Sequence, residues 1–213
     1  MNINLKYKLN ILKKMISNYH YYKWLKDDGE NTLLTNYNLD KNSIVFELGG
    51  YNGTFSKQIL DKFDCKLVIF EPSKEYYDKL KKIFENKNVQ IFNYGLSDFE
   101  GSLSLISEGE KTYLTEILEH DDNIVEVKKL SDFIIQNNFF INLLNINIEG
   151  SEYKVLNDLL DTGTIHNIEN LQIQFHKNVK NYRKKKRLLK NSLSKTHHLV
   201  WKYDYVWESW KKL

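Results

Sequence analysis

Apolar residues along this chain recur in two alternating rhythms. Residues 43–48 and 66–71 are short β-branched and aromatic runs, whereas residues 54–63 space Phe55, Ile59, Leu60 and Phe63 at helical intervals. The first pattern predicts buried strands and the second an amphipathic helix. The alternation continues with a helix over 74–86 and a strand over 89–94, so the expected fold class is α/β, a doubly wound and mostly parallel sheet. Residues 101–127 break the rhythm with short runs at 102–106 and 123–127, which predict a small β insertion. The loop from Ser107 to Thr115 inside it is a candidate lid. A short helix near 131–136 follows, then a strand over 141–148, a helix over 151–160, a strand over 170–176 and a basic helix over 179–193. Two last runs, 196–203 and 205–210, predict a terminal antiparallel pair.

With 213 residues, 41% of them hydrophobic, the chain is long enough for one domain with a substantial core and a short extension. The expected division is an N-terminal helical extension over 1–40 and an α/β domain over 41–213. Cys65 is the single cysteine, which excludes an intrachain disulfide framework and fits a cytoplasmic location.

A net charge of +3 is too mild to imply nucleic-acid binding, but its distribution is uneven. No acid precedes Asp27, while Lys6, Lys8, Lys13, Lys14, Lys23 and Lys26 all do, and Leu5, Leu9, Leu12, Ile16 and Tyr19 share one helical face. Such a basic amphipathic helix either caps the main domain or touches an anionic membrane surface or a glycan carrier. Lysines and asparagines interrupt every apolar run there, so neither a spanning segment nor a cleavable signal is expected. A second basic run, Arg183–Arg187, reads as a solvated face or as an attractant for phosphorylated substrates.

The candidate chemistry begins where the first strand ends. The turn Gly49-Gly50-Tyr51-Asn52-Gly53 follows the acid Glu47, and Glu71 closes the second strand about twenty residues after the glycines. Gly49, Gly50 and Gly53 let a ligand approach the main chain and the following helix N-terminus. The spacing departs from the G-x-G-x-x-G of dinucleotide sites, and Glu47 would repel a pyrophosphate; it suits a ligand with a cationic ammonium group. Glu71 is placed to accept hydrogen bonds from two ribose hydroxyls. S-adenosylmethionine meets both conditions. Ser97 and Asp98, after the third strand, are expected at the adenine edge, and Ser73 as the cap of the next helix.

These motifs resemble the FkbM-type methyltransferases, S-adenosylmethionine-dependent O-methyltransferases frequent in glycan and natural-product pathways. The resemblance spans roughly 43 to 210 through FELGGYNG at 46–53, FEP at 70–72, GLSD at 95–98, INIEGSEYKVL at 146–156 and IQFH at 173–176. It implies a seven-stranded class I sheet, with Glu47, Gly49, Gly50, Tyr51, Gly53, Glu71, Ser97 and Asp98 on the cofactor. The acceptor it implies is a sugar, nucleotide sugar or glycan precursor in polysaccharide biosynthesis. The family pattern more often has Lys-x-Asp-x-Glu-Gly in the fourth strand and Glu before the strand-five His; Asn145, Asn147 and Gln174 stand there in this chain. No metal site is assigned.

In open α/β sheets reacting groups gather beyond the carboxyl ends of the strands, so Asn147, Glu149, Gln174 and His176 are the candidate catalytic residues. His176 is the expected base for an acceptor hydroxyl, since an unperturbed imidazole titrates near neutrality. Glu149 would orient it or bind the acceptor, or else serve as a helix N-terminal acid, and Asn147 and Gln174 would hold hydroxyls. Two other functions stay open. Arg183–Arg187 and the lysine-rich N-terminus support a nucleic-acid methyltransferase, although no Asp-Pro-Pro-Tyr-like motif or Pro-Cys pair is present. The three amides favour a non-catalytic module that keeps the fold.

Overall fold

The computed structural model describes residues 18–108, 111–117 and 123–213. Helix α1 covers residues 18–26, followed by a single turn α2 (Gly29–Thr32). Then come β1 (Ile44–Leu48), α3 (Thr54–Phe63), β2 (Lys66–Phe70), α4 (Lys74–Ile83), β3 (Val89–Phe92) and β4 (Gly95–Ser97). The insertion supplies β5 (Gly101–Glu108), β6 (Lys111–Thr115) and β7 (Ile124–Lys129). The chain closes with α5 (Leu130–Asn137), β8 (Ile141–Ile146), α6 (Glu152–Asp161), β9 (Ile168–Ile173), α7 (Tyr182–Leu193), β10 (His197–Tyr203) and β11 (Trp207–Lys212).

The main sheet runs β10-β11-β9-β8-β1-β2-β3. Strands β3, β2, β1, β8 and β9 are parallel, and β11 pairs antiparallel with both β9 and β10, so the expected terminal hairpin completes the sheet. The period-two alternation of each strand decides which layer a side chain joins. Phe46, Leu48, Val68, Phe70, Leu144 and Ile146 enter the core with α5, α6 and α7. Val45, Leu67, Ile69 and Leu143 face the other way, against Ile59 of α3 and Leu80 of α4. Cys65 is buried in that second layer, and burial pushes its thiol up to about 11, which suits a packing role.

One row across the second face is polar. Register places Glu47 beside Asn145, Asn145 beside Gln172 and Gln172 beside Ser209, and all four are buried. Asn145 Nδ2 donates to Gln172 Oε1 at 3.1 Å, and Ser209 Oγ lies 3.1 Å from the Tyr37 hydroxyl. Asn145 is thus engaged in the sheet interior.

The insertion forms its own four-stranded sheet, ordered β4-β7-β5-β6. Its first strand was not expected: residues 95–97, which read as a loop, pair in parallel with β7. Gly95 allows the contact, because a Cβ there would stand 2.8 Å from a methyl of Leu114 and 3.2 Å from one of Val127. The helix expected over 74–86 ends earlier, at Ile83, and the chain turns away through Asn86 in a left-handed conformation (φ 61°). Ser73 sits at the N-cap of α4 without a side-chain cap bond; its backbone N–H is turned to Glu71.

Trp24 of α1 and Leu34 pack with Tyr203 and Trp207, joining the N-terminal segment to the terminal hairpin. The basic amphipathic helix expected at the N-terminus falls mainly on residues 1–17, outside the described residues. Among the described residues no helix is long and apolar enough to cross a membrane.

Candidate active site

The carboxyl ends of β1, β2 and β8 are pinned together by backbone bonds. Gly49 N–H donates to Phe70 O at 2.9 Å and Asn147 N–H to Leu48 O at 3.1 Å. Gly49 adopts φ 86°, and a Cβ there would collide with the carbonyl oxygen of Asn147. This position therefore needs glycine twice over, for its conformation and for the closeness of the two strand ends. Gly50 serves packing, since its missing Cβ makes room for Ile69 and Leu80, and Gly53 (φ 77°) is the N-cap of α3.

Above these ends lies a cavity of about 310 Å³. Gly49, Tyr51, Glu71, Tyr94, Gly95, Leu96, Asn147 and Glu149 line it, and Leu105, Thr112 and Leu114 of the insertion close its other side. Thr112 and Leu114 belong to the stretch expected to form a lid, where β6 pairs with β5. Glu71 is almost fully buried, and its two oxygens accept the N–H groups of Tyr51 at 2.9 Å and Ser73 at 2.8 Å. Burial raises its pKa, and the backbone bonds from Tyr51, Ser73 and Gly50 offset that rise only in part. An ionised carboxylate has about four acceptor positions, and with Tyr51, Ser73 and Gly50 on it Glu71 retains capacity for one hydroxyl donor from the cavity. The side-chain oxygen of Asn147 is buried without a partner among the described residues, on the same cavity wall. An orphaned acceptor there fits the cationic end of a ligand.

Glu47 lies elsewhere. Its side chain points to α3, bonded to the Ser56 hydroxyl, and it does not line the cavity. Burial pushes its pKa up to about 8, against the Ser56 bond and aided by the nearby Glu71. Ser97 and Asp98 are also off the wall. Pairing of β4 with β7 buries Ser97, whose hydroxyl donates to Asp98 Oδ1 at 3.1 Å, and Asp98 faces Lys154 at 3.9 Å.

A second cavity, of about 710 Å³, adjoins the first. Glu149 and Leu114 line both, so the two spaces meet at the end of β8. Glu149 itself sits in the left-handed region (φ 47°), followed by Gly150 at φ 114°, a sharp turn between strand and helix. His176, just past β9, lines the second cavity and places Nε2 3.3 Å from Glu149. Its other nitrogen lies 3.3 Å from Glu152, whose fully buried carboxylate also accepts the backbone N–H of His176 at 2.6 Å and of Gly150 at 2.7 Å. Tyr153 donates to the His176 carbonyl at 2.8 Å.

Sequence reasoning missed Glu152. As the first residue of α6 it reads as a dipole-complementing acid, and only its spacing of three from Glu149 marks it. Gln174 lines neither cavity; its N–H donates to Ile146 O within the sheet. His197 is remote, buried in β10 with Nε2 donating to the Ile168 carbonyl. Among the described residues no three His, Cys, Asp or Glu side chains group as a metal centre.

The chain is similar in fold to solved methylases. A candidate rRNA-methylase from Clostridium thermocellum superposes with a TM-score of 0.52 at 7% identity, covering 93% of this chain and 97% of that one. An rRNA methylase from Streptococcus thermophilus gives 0.45 at 13% identity, over 82% and 89% of the two chains. A candidate methyltransferase from Streptococcus mutans, solved with S-adenosylhomocysteine, gives 0.46 at 16% identity, over 82% and 91%. No curated protein matches the chain. The methyltransferase FkbM domain profile matches residues 47–203, from the acid before the glycine turn to the end of β10. The glycine turn, Glu71 and the β8 end that build the first cavity all lie within that span, so the chain belongs to the FkbM methyltransferase family, with S-adenosylmethionine as its methyl donor.

Proposed function

We propose that this methyltransferase acts on oxygen, methylating a hydroxyl of a sugar or glycan precursor in surface polysaccharide synthesis. The observation that carries this is the junction at Glu149: the donor-sized cavity shares this residue with a larger one, where the His176 ring stands 3.3 Å from the Glu149 carboxylate. Methylation of an alcohol needs in-line placement and a sink for one proton, and a carboxylate–imidazole pair supplies the sink.

S-adenosylmethionine, when bound, supplies an electrophilic methyl on a sulfonium. Glu71 accepts a ribose hydroxyl with the acceptor capacity left by Tyr51, Ser73 and Gly50. Gly49 and Tyr51 give the ligand access to the main chain, and the Asn147 side-chain oxygen takes the ammonium end. On the acceptor side Tyr113, Tyr153, Phe175 and Tyr205 offer apolar faces, with Ser151 and Asn178 between them, a mixture suited to a sugar ring. His176 in its neutral form takes the proton and Glu149 orients the hydroxyl.

The test is transfer of labelled methyl from S-adenosylmethionine to a panel of sugars and nucleotide sugars, with the methylated position read by NMR. A methyl ether is the expected product. Methylation of RNA with no transfer to any sugar hydroxyl would overturn the assignment.

A further inference from the structure

We propose that the acceptor carries a phosphate or diphosphate ester, held in the larger cavity by Lys154, Lys177 and Lys185 while its hydroxyl reaches Glu149; this rests on the methyl-transfer reading above. The three lysines come from separate elements, α6, the segment after β9 and the first turn of α7, yet all line one cavity. A run along a single helix would be a solvated face, but convergence from three elements builds a cationic wall.

Two carboxylates share that lining with the three lysines. They are Glu116 and Glu149, and Glu149 already faces His176. The carboxylate paired with Lys154, Asp98, is 3.9 Å away with both side chains about half exposed, a pair of little strength. Lys177 stands over the Tyr205 ring at 4.7 Å, which fixes its stem beside the cavity. Lys185 makes no ion pair among the described residues. It shares its turn with Arg183 and Lys184 and with no acid, although the positive end of a helix dipole disfavours cations. A bound anion reverses the sign of that interaction.

The size of the space favours a small molecule. Cavities of roughly 300 to 1,000 Å³ are typical of small-ligand sites, and about 710 Å³ holds a sugar with a diphosphate linkage. A nucleotide-linked and a polyprenyl-linked sugar share this chemistry, so the probes must separate them.

Calorimetry on the full chain saturated with S-adenosylhomocysteine provides the test. The titrants are inorganic pyrophosphate, uridine diphosphate and farnesyl diphosphate, with uridine as the uncharged control. Pyrophosphate is expected to bind, more weakly as salt rises, and about tenfold more weakly to a Lys154→Ala/Lys185→Ala variant. Tighter binding of uridine diphosphate identifies a nucleotide-linked acceptor, and tighter binding of farnesyl diphosphate a lipid-linked one. The single variant Lys185→Glu, at an exposed position, repeats the measurement with the charge reversed. Unchanged S-adenosylhomocysteine affinity certifies that each variant is folded. Absence of pyrophosphate binding to protein that does bind S-adenosylhomocysteine, or equal binding to wild type and variants, overturns the proposal, as does preferential binding of a short RNA. Failure to bind S-adenosylhomocysteine at all would instead strike the methyl-transfer reading.

Discussion

The backbone and the ring of His176 converge on one oxygen of Glu152: the N–H donates to Oε1 at 2.6 Å, and Nδ1 lies 3.3 Å from the same atom. Nε2 faces Glu149 at 3.3 Å. Desolvation pulls the histidine's pKa down, but the hydrogen bonds and charges of Glu149 and Glu152 outweigh it and carry it up to about 9. At neutral pH the ring is therefore an imidazolium, and only its minor neutral form accepts a proton.

That fixes the pH dependence of turnover. With His176 as proton acceptor, kcat is expected to rise about tenfold per unit from roughly pH 7 to 8 and to level near 9. Glu152→Gln removes one of the two carboxylates, so the levelling point should fall by about one unit while donor affinity holds. A merely structural Glu152 would leave that point where it is. A flat wild-type profile between pH 7 and 9 would give the proton to Glu149 instead.

The same shift links stability to pH. A pKa raised above the unfolded value of 6.5 means that folding favours the protonated ring, so this contribution is complete below about pH 6.5 and fades as pH rises through about 9. The loss is on the order of 3 kcal/mol, the energy of a shift of that size. Urea midpoints for wild type should fall from pH 6 to 10 by more than those of His176→Ala. Parallel pH curves for the two proteins would contradict the coupling.

Two variants should separate the cavities. His176→Ala is expected to lower turnover by about two to four orders of magnitude, the range for a general base, with donor affinity nearly intact. Glu71→Ala should weaken donor binding by about tenfold or more and should also loosen the turn, because Tyr51 and Ser73 lose their acceptor. Titration with S-adenosylhomocysteine and single-turnover rates measure the two effects independently. Normal turnover in the histidine variant would remove the base assignment.

Gly49→Ala should act on the junction itself. The alanine must adopt φ 86° and push aside the Asn147 carbonyl, a strain of about 1 to 3 kcal/mol that the strand ends relieve by separating. Donor affinity and thermal stability should fall together. Retention of both would mean that the two strand ends can part freely.

What the residues disclosed on their own was the periodic part of the molecule. Strands β1, β2 and β8 are buried on both faces and so read as near-continuous apolar runs, and Gly49 and Glu71 stand at a fixed interval that local chemistry explains. Three features depended on distant partners and stayed hidden. Residues 95–97 become a strand only because β7 lies beside them. Glu47 looks like a cofactor acid until α3 presents Ser56 to it. The His176 pKa was expected near neutrality because Glu152, 24 positions earlier, carries no mark of facing it. The amides at 145 and 147 also part company: Asn147 lines the cavity, whereas Asn145 lies in the buried polar row.

That row makes a prediction of its own. Asn145 and Gln172 are fully enclosed, line neither cavity and bond to each other, and Gln172 Nε2 has no partner among the described residues. Gln172→Leu conserves volume approximately but strands the Asn145 amide, which should destabilise the protein by about 2 kcal/mol. Adding Asn145→Val removes the stranded group, so the double variant should be more stable than Gln172→Leu alone, with a coupling above about 0.5 kcal/mol in the double-mutant cycle. Donor affinity should stay constant throughout, because neither residue lines the cavity. Simple additivity would show that the two amides are independent. A loss of donor binding in Asn145→Val would bring this residue back to the cofactor site.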